Sequence, residues 1–213
     1  MSSADQLTPE ILAEAAKIAT STIHEASGKL GALPAAIKPI APGMRVCGPA
    51  FPVKGPPLDN LWLHYALNEA KPGDVIVADV GGLYEGGYFG EVMATSAAAR
   101  KLGGLVIDGC VRDGNELAEM GWPIFARGLA MRGTYKDHAA NGLIGEPVPV
   151  GDVLVSPGDL VLGDTDGVVV IPKDKVEEAI AASKAREARE ADLMDKLRTG
   201  KSTVEIYGWK REK

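Results

Sequence analysis

Cysteine is scarce in this chain, with only Cys47 and Cys110 among 213 residues. Two thiols cannot build a disulfide scaffold, and with no signal-like N-terminus they point to a reducing cytoplasm. Long apolar runs are missing too: no stretch approaches the roughly 20 residues that a membrane helix needs, so a soluble protein with no membrane partner is expected. Positive charge is in deficit, 23 Lys and Arg against 29 Asp and Glu, for a formal net charge of -6. A nucleic-acid partner is therefore not expected, and any small anion must be captured by local charge. Known cofactor signatures are incomplete. The glycine-rich loop has Glu85 where a dinucleotide fingerprint needs its first glycine, Leu83 where an S-adenosylmethionine loop would want another, and no lysine for a phosphate loop. What remains, 46% hydrophobic and 24% charged residues, suffices for one compact domain over residues 1–213.

The informative stretch runs from Asp79 to Glu116. Val75–Asp79 is a β-branched run that fits a buried strand, and Gly81, Gly82, Gly86, Gly87 and Gly90 permit tight backbone turns after it. A helix is expected to start at Glu91 and stop at Gly103-Gly104; the free N–H groups of its first turn, near Val92 and Met93, suit a carboxylate or phosphate. Leu105–Asp108 reads as a second buried strand. In a strand-helix-strand crossover the carboxyl ends of both strands lie beside the helix start, so Glu91 and the segment Asp108-Gly-Cys-Val-Arg112-Asp113 should meet. There Arg112 can fork onto a carboxylate or enolate oxygen, while Asp113, Glu91 and Glu116 offer the hard oxygen ligands that Mg2+ or Mn2+ prefers. Structural roles compete for the same residues. Asp113 and Glu116 have capping-box spacing, and Glu91 suits the positive end of a helix dipole. Cys110 reads as a small buried thiol in preference to a nucleophile.

The flanks carry weaker signals. Thr8-Pro9 opens a packing helix that continues through Ile11, Ala15, Ile18 and Thr22 to Gly28. Met44–Val53 reads as a strand, and Gly48-Pro49 makes it an edge or bulged one. Asp59 or Asn60 caps a helix whose Leu61, Leu63, Ala66 and Leu67 point inward; His64 on it has no second histidine at helical ligand spacing and reads as a core or supporting residue, His24 near the end of the first helix reads as hydrogen-bonded to backbone, and one Asp137-His138 pair in a loop is weak evidence for a metal. Pro123–Arg127 is a further strand, and for Arg127 and Arg132 a solvent-facing or salt-bridged role is favoured over supplementing the anion site. Short strands from Glu146 to Pro172, broken by Gly-Asp, Pro-Gly-Asp and Asp-Gly turns, argue for hairpins. A long helix follows from Lys173 to Arg198, with Glu187 and Glu190 on its apolar stripe. They either pair with Lys184, Arg186 or Arg189 or reach a neighbouring subunit's site.

Gly90-Glu91-Val-Met, Asp108-Gly-Cys-Val-Arg112-Asp113, Pro157-Gly-Asp and Asp164-Thr-Asp166-Gly-Val-Val-Val-Ile-Pro172 together resemble the 4-hydroxy-4-methyl-2-oxoglutarate and 4-carboxy-4-hydroxy-2-oxoadipate aldolases. That family also holds the regulator of ribonuclease activity A, a protein-binding inhibitor. The resemblance implies an α/β swivelling β/β/α domain, a mixed sheet with flanking helices and a long C-terminal helical extension at about 173–213. It implies a homotrimer or a hexamer of two trimers. It further implies a divalent-metal aldolase that releases pyruvate and a second keto acid, with oxaloacetate decarboxylation as a side activity. Arg112, Glu91, Asp113 and a neighbouring subunit's Glu190 or Glu187 would be catalytic. Arg112 and the Val92 and Met93 amides would bind substrate, and Asp113, Glu91 and Glu116 would hold Mg2+ or Mn2+. The competing expectation is a non-catalytic regulator of ribonuclease E.

Overall fold

A computed structural model describes residues 7–211. Thr8 accepts a hydrogen bond from the Ile11 amide and starts α1 (Pro9–Ala15), but the expected single helix is broken in two: α2 spans Thr20–Ala26. The cause is tertiary. The buried Asp164 carboxylate takes the Thr20 amide at 2.9 Å and the Thr20 hydroxyl at 2.6 Å, capping a new helix where local sequence would have continued the old one.

The chain then forms β1 (Lys38–Pro39), β2 (Val46–Lys54), α3 (Leu61–Glu69), β3 (Val75–Asp79), α4 (Glu91–Ala99), β4 (Gly104–Asp108), β5 (Cys110–Val111), α5 (Gly114–Met120), β6 (Ile124–Ala126) and β7 (Gly128–Leu129). It continues through β8 (Leu143–Ile144) and the hairpins β9 (Val148–Val150) with β10 (Val153–Val155) and β11 (Leu160–Asp164) with β12 (Gly167–Ile171). A 3-10 turn at Lys173–Lys175 leads into α6 (Val176–Arg198), and α7 (Thr203–Tyr207) follows. Helix α4 ends four residues before the expected Gly103, because Lys101 turns left-handed and the Leu102 amide closes back on Ala97.

Eight strands make one mixed sheet in the order β1-β6-β4-β3-β2-β11-β12, with β8 on β2. Its ends approach each other, since Lys38 on β1 donates to the Asp166 carbonyl at the β11–β12 turn. This is the expected swivelling β/β/α architecture: a mixed sheet nearly closed on itself, with flanking helices and a long C-terminal helix. Strand β2 is central, contrary to the edge or bulged strand expected from Gly48-Pro49. Residues 46–49 pair antiparallel with β11 and residues 50–54 parallel with β3, so Pro49 falls where the strand changes partners. A side chain at Gly48 would meet the Gly73 carbonyl at 2.6 Å; close approach of two backbones, not a bulge, requires that glycine.

Strands β3 and β4 are buried on both faces, as their near-continuous aliphatic runs require. Ile76, Ala78, Leu105 and Ile107 face α3, α4 and α5, whereas Val75, Val77 and Val106 face the β9–β10 side. A third cluster packs α1, α2 and the first half of α6 onto Leu160, Leu162, Val169 and Ile171. Beyond Ser183 no residue of α6 is buried. Among the described residues no helix is long and apolar enough to cross a membrane.

Candidate active site

Parallel register sets Asp79 opposite Asp108, so the two loops leaving β3 and β4 begin side by side. They stay together. The Tyr88 amide donates to the Cys110 carbonyl at 3.1 Å, and the Arg112 amide donates to the Phe89 carbonyl at 2.9 Å. The glycine loop thereby delivers Gly90 and Glu91 to Arg112 and Asp113, the meeting expected from the crossover.

Asp113 does not act as a capping-box residue. It precedes α5 in a left-handed conformation, φ 59°, and makes no cap bond to its own helix. This region costs a non-glycine residue about 1 kcal/mol, though Asp tolerates it better than most. In return the side chain turns toward α4, where its Oδ2 accepts the Glu91 amide at 3.0 Å. Gly90, the N-cap of α4, has no side chain to do this, so the cap comes from 22 residues downstream. The Arg112 Nε stands 3.7 Å from the same oxygen, with side-chain exposures of 49% for Arg112 and 38% for Asp113. At that exposure the ion pair stabilises by no more than about 1 kcal/mol. It orients the guanidinium and leaves most of its five donors to solvent.

Two glycines make the room. A Cβ at Gly87 would meet the Ala130 carbonyl at 2.5 Å and the Arg112 side chain at 3.1 Å; one at Gly90 would collide with Asp113 Oδ2 and lie 3.0 Å from Arg112 Cγ. Of the two amides expected to face an anion, only one is open. Met93 is buried and its N–H donates to the Gly90 carbonyl at 3.1 Å, which removes the expected role of its amide. The Val92 amide has no partner among the described residues, and Val92 is 79% exposed. Glu91 and Glu116 are exposed in the first turns of α4 and α5.

Neighbouring groups are committed to structure. Arg127 Nε holds the buried Asp108 carboxylate at 2.6 Å, and its guanidinium lies 3.7 Å from the Tyr84 ring centre. Arg127 is thus salt-bridged, as expected. Burial pushes the Cys110 thiol up and Cys47 up to about 11, so neither is a thiolate at neutral pH. His24 Nδ1 contacts the Leu30 carbonyl at 3.0 Å. Asp59, not Asn60, caps α3 through the Leu61 amide. Asn60 instead binds the Tyr88 carbonyl at 2.9 Å and reaches the Met93 sulfur at 3.5 Å, bracing the glycine loop against α4. Its Oδ1 is the buried side-chain oxygen without a partner among the described residues. Sequence reading missed this brace, since Asn before an apolar helix signals only a cap.

Among the described residues no group of three His, Cys, Asp or Glu side chains gathers to hold a metal ion. A cage of protein ligands is not what Mg2+ or Mn2+ requires: such ions keep several waters and take one or two carboxylates. Asp113 fits that demand, with only Oδ2 engaged and its carboxylate partly open to solvent. Glu190 lies elsewhere in the chain, on the α6 segment past the packed core, where Arg186 pairs with it at 2.7 Å and also with Glu25. One chain does not bring Glu190 or Glu187 into the Arg112 cluster.

Fold and site together define a swivelling β/β/α domain that presents a guanidinium, a half-open carboxylate and one unpaired helix amide at the carboxyl ends of two parallel strands. The chain belongs to the RraA-like family, whose Aldolase/RraA model matches residues 15–170. It is 36% identical over 184 residues, 84% of this chain and 87% of the other, to a Halalkalibacterium halodurans protein provisionally named 4-hydroxy-4-methyl-2-oxoglutarate aldolase. A Pseudomonas syringae structure of unassigned function superposes with a TM-score of 0.81 at 26% identity, covering 95% of this chain and 94% of that one. Streptomyces coelicolor RraAS2, described as an unusual member of the RNase ES inhibitor RraA family, superposes at 0.73 and 26% identity over 90% of this chain and 98% of its own.

Proposed function

We propose that the chain is a divalent-metal-dependent aldolase that cleaves 4-hydroxy-4-methyl-2-oxoglutarate or 4-carboxy-4-hydroxy-2-oxoadipate to pyruvate and a second keto acid. The observation that carries the reading is the convergence of Arg112, Asp113 and the open Val92 amide at the start of α4. The Halalkalibacterium relative's name supports the same reaction class.

In this reading the Val92 amide and Arg112 bind the carboxylate and keto oxygens of the 2-oxo acid. Glu91, exposed at the helix start, or Glu190 from a neighbouring subunit in a trimer or hexamer, takes the C4 hydroxyl proton through a water. The C3–C4 bond then breaks, its electrons pass toward the keto group, and Arg112 stabilises the resulting pyruvate enolate. Protonation at C3 completes pyruvate. Asp113, with Glu91 and Glu116 through waters, would hold Mg2+ or Mn2+. When bound, that ion supplies a Lewis acid to polarise the keto oxygen. Oxaloacetate decarboxylation leads to the same enolate and is expected as a side activity.

The test is turnover. Purified protein should release pyruvate with Mg2+ or Mn2+, fall silent with EDTA, and lose at least about a thousandfold in kcat/KM as Arg112→Ala or Asp113→Ala. Full turnover in both variants removes the roles assigned to them. The likeness to Streptomyces RraAS2 favours a second reading, a protein-binding ribonuclease regulator. No pyruvate from either hydroxy acid or from oxaloacetate, together with inhibition of a ribonuclease E, would establish it instead.

A further inference from the structure

Asn60 stands at the N-cap of α3, yet it makes no side-chain cap bond there. Its side chain, 7% exposed, is spent on the glycine loop. Nδ2 donates to the Tyr88 carbonyl at 2.9 Å and reaches the Met93 sulfur, in the first turn of α4, at 3.5 Å. Both neighbours are acceptors, so the amide cannot be turned round: the nitrogen must face them, and Oδ1 is left with no donor among the described residues. A buried acceptor without a partner destabilises the fold, which makes Asn60 a poor choice for stability alone.

The peptide that Asn60 grips leads straight into the site. Tyr88 is fixed at its other polar atoms too: its amide donates to the Cys110 carbonyl at 3.1 Å, and its hydroxyl accepts from the Leu58 amide at 2.9 Å and donates to the Leu83 carbonyl at 2.5 Å. The next carbonyl, that of Phe89, takes the Arg112 amide at 2.9 Å, and Gly90 after it is the N-cap of α4. We propose that Asn60 is a positioning residue for the reaction: one nitrogen ties the loop that holds Arg112 to the first turn of α4, and so sets where the guanidinium stands against the helix start. Asn60 itself touches no substrate. The inference rests on the aldolase reading and adds to it a residue from α3, outside both loops of the site.

The test begins with Asn60→Leu, which removes the donor and the unpartnered oxygen together. It should lower kcat for pyruvate release at least about tenfold and leave KM within about threefold, since Arg112 counts most where the enolate forms. Tm should stay within about 3 °C, because the lost bond and the relieved acceptor offset each other. Asn60→Asp adds a readout that a merely structural role would not move. Protonated, its carboxyl can donate to the Tyr88 carbonyl as the amide does; ionised, it faces two acceptors with nothing to donate, and burial raises its pKa. Its kcat relative to wild type should therefore rise about tenfold from about pH 8 to about pH 5.5, while the Asn60→Leu ratio stays constant. Asp59, His64, Lys136 and Tyr88, the charged and titratable groups around this turn, are common to both proteins, so the ratio removes them. Wild-type kcat in Asn60→Leu, or losses in both variants that follow Tm with no recovery at low pH, overturn the proposal. Hydrogen exchange of the Arg112 amide needs no turnover: it should run at least about tenfold faster in Asn60→Leu, and unchanged exchange overturns the brace. If wild-type protein releases no pyruvate the aldolase reading fails, and exchange still decides whether Asn60 positions Arg112.

Discussion

Gly90→Ala isolates the geometry on which the candidate site depends. Gly90 has φ -146° and ψ -169°, an extended backbone that alanine adopts freely, so the change carries no conformational strain. It acts through one methyl group. That carbon would overlap Asp113 Oδ2 and sit 3.0 Å from Arg112 Cγ and 3.1 Å from Arg112 Nε, and the two side chains must move by about 1 Å to admit it. Displacing Asp113 breaks its bond to the Glu91 amide. Loss of a helix cap costs about 1 kcal/mol, a fall of roughly 3 °C in Tm for a domain of this size. Catalysis should suffer far more, because a misplacement of about 1 Å in a reacting constellation lowers the rate about a hundredfold. Pyruvate release, followed alongside thermal unfolding, separates the two effects. Gly133→Ala is the matched control, since a Cβ there meets nothing within 4 Å. Turnover within about twofold of wild type in Gly90→Ala, with the stability loss as expected, would refute the claim that Arg112 and Asp113 act from this arrangement.

Three further outcomes follow from the structure. Arg127→Ala strands the Asp108 carboxylate, which is 4% exposed, and should destabilise by about 3 kcal/mol in urea unfolding, the low end for a broken buried pair because Arg127 keeps 22% exposure; a loss under 1 kcal/mol would mean that water replaces the guanidinium. Burial alone would raise the Asp164 pKa, but the Thr20 hydroxyl and amide, the Asp166 amide and Arg45 hold it below its usual 3.8. Because the folded value is depressed, this contribution is complete above about pH 4 and is lost as pH falls through the folded value. Thr20→Val should therefore cost about 1.5 kcal/mol at pH 7, and its deficit against wild type should shrink below pH 4; a constant deficit in denaturant titrations at pH 7 and pH 2.5 would show that Asp164 is not the titrating partner. Cys110→Ser should retain turnover within about twofold, because the thiol beside the site stays protonated at neutral pH, and a loss of a hundredfold would assign the sulfur a chemical role.

Local pattern was enough to place β3, β4, the start of α4 and the two late hairpins, because these depend on short-range signals: β-branched runs buried on both faces, glycine loops and Asp-Gly turns. The same signals brought Glu91 to Arg112 and Asp113, since a parallel crossover leaves a helix start nowhere else to go. Pattern failed where a distant partner overruled it. Asp164 split the first helix at Thr20, and β11 and β3 shared β2 between them despite Pro49.

The amino-acid sequence by itself determined which groups this protein could bring to a small anion and at which end of which strands they would stand. Only the tertiary structure decided what each group does there: Asp113 caps a helix 22 residues before it, Met93 spends its amide on Gly90, and Val92 keeps its own. The reason is that hydrogen bonds are settled by competition among neighbours in space, and spacing along the chain names only the candidates.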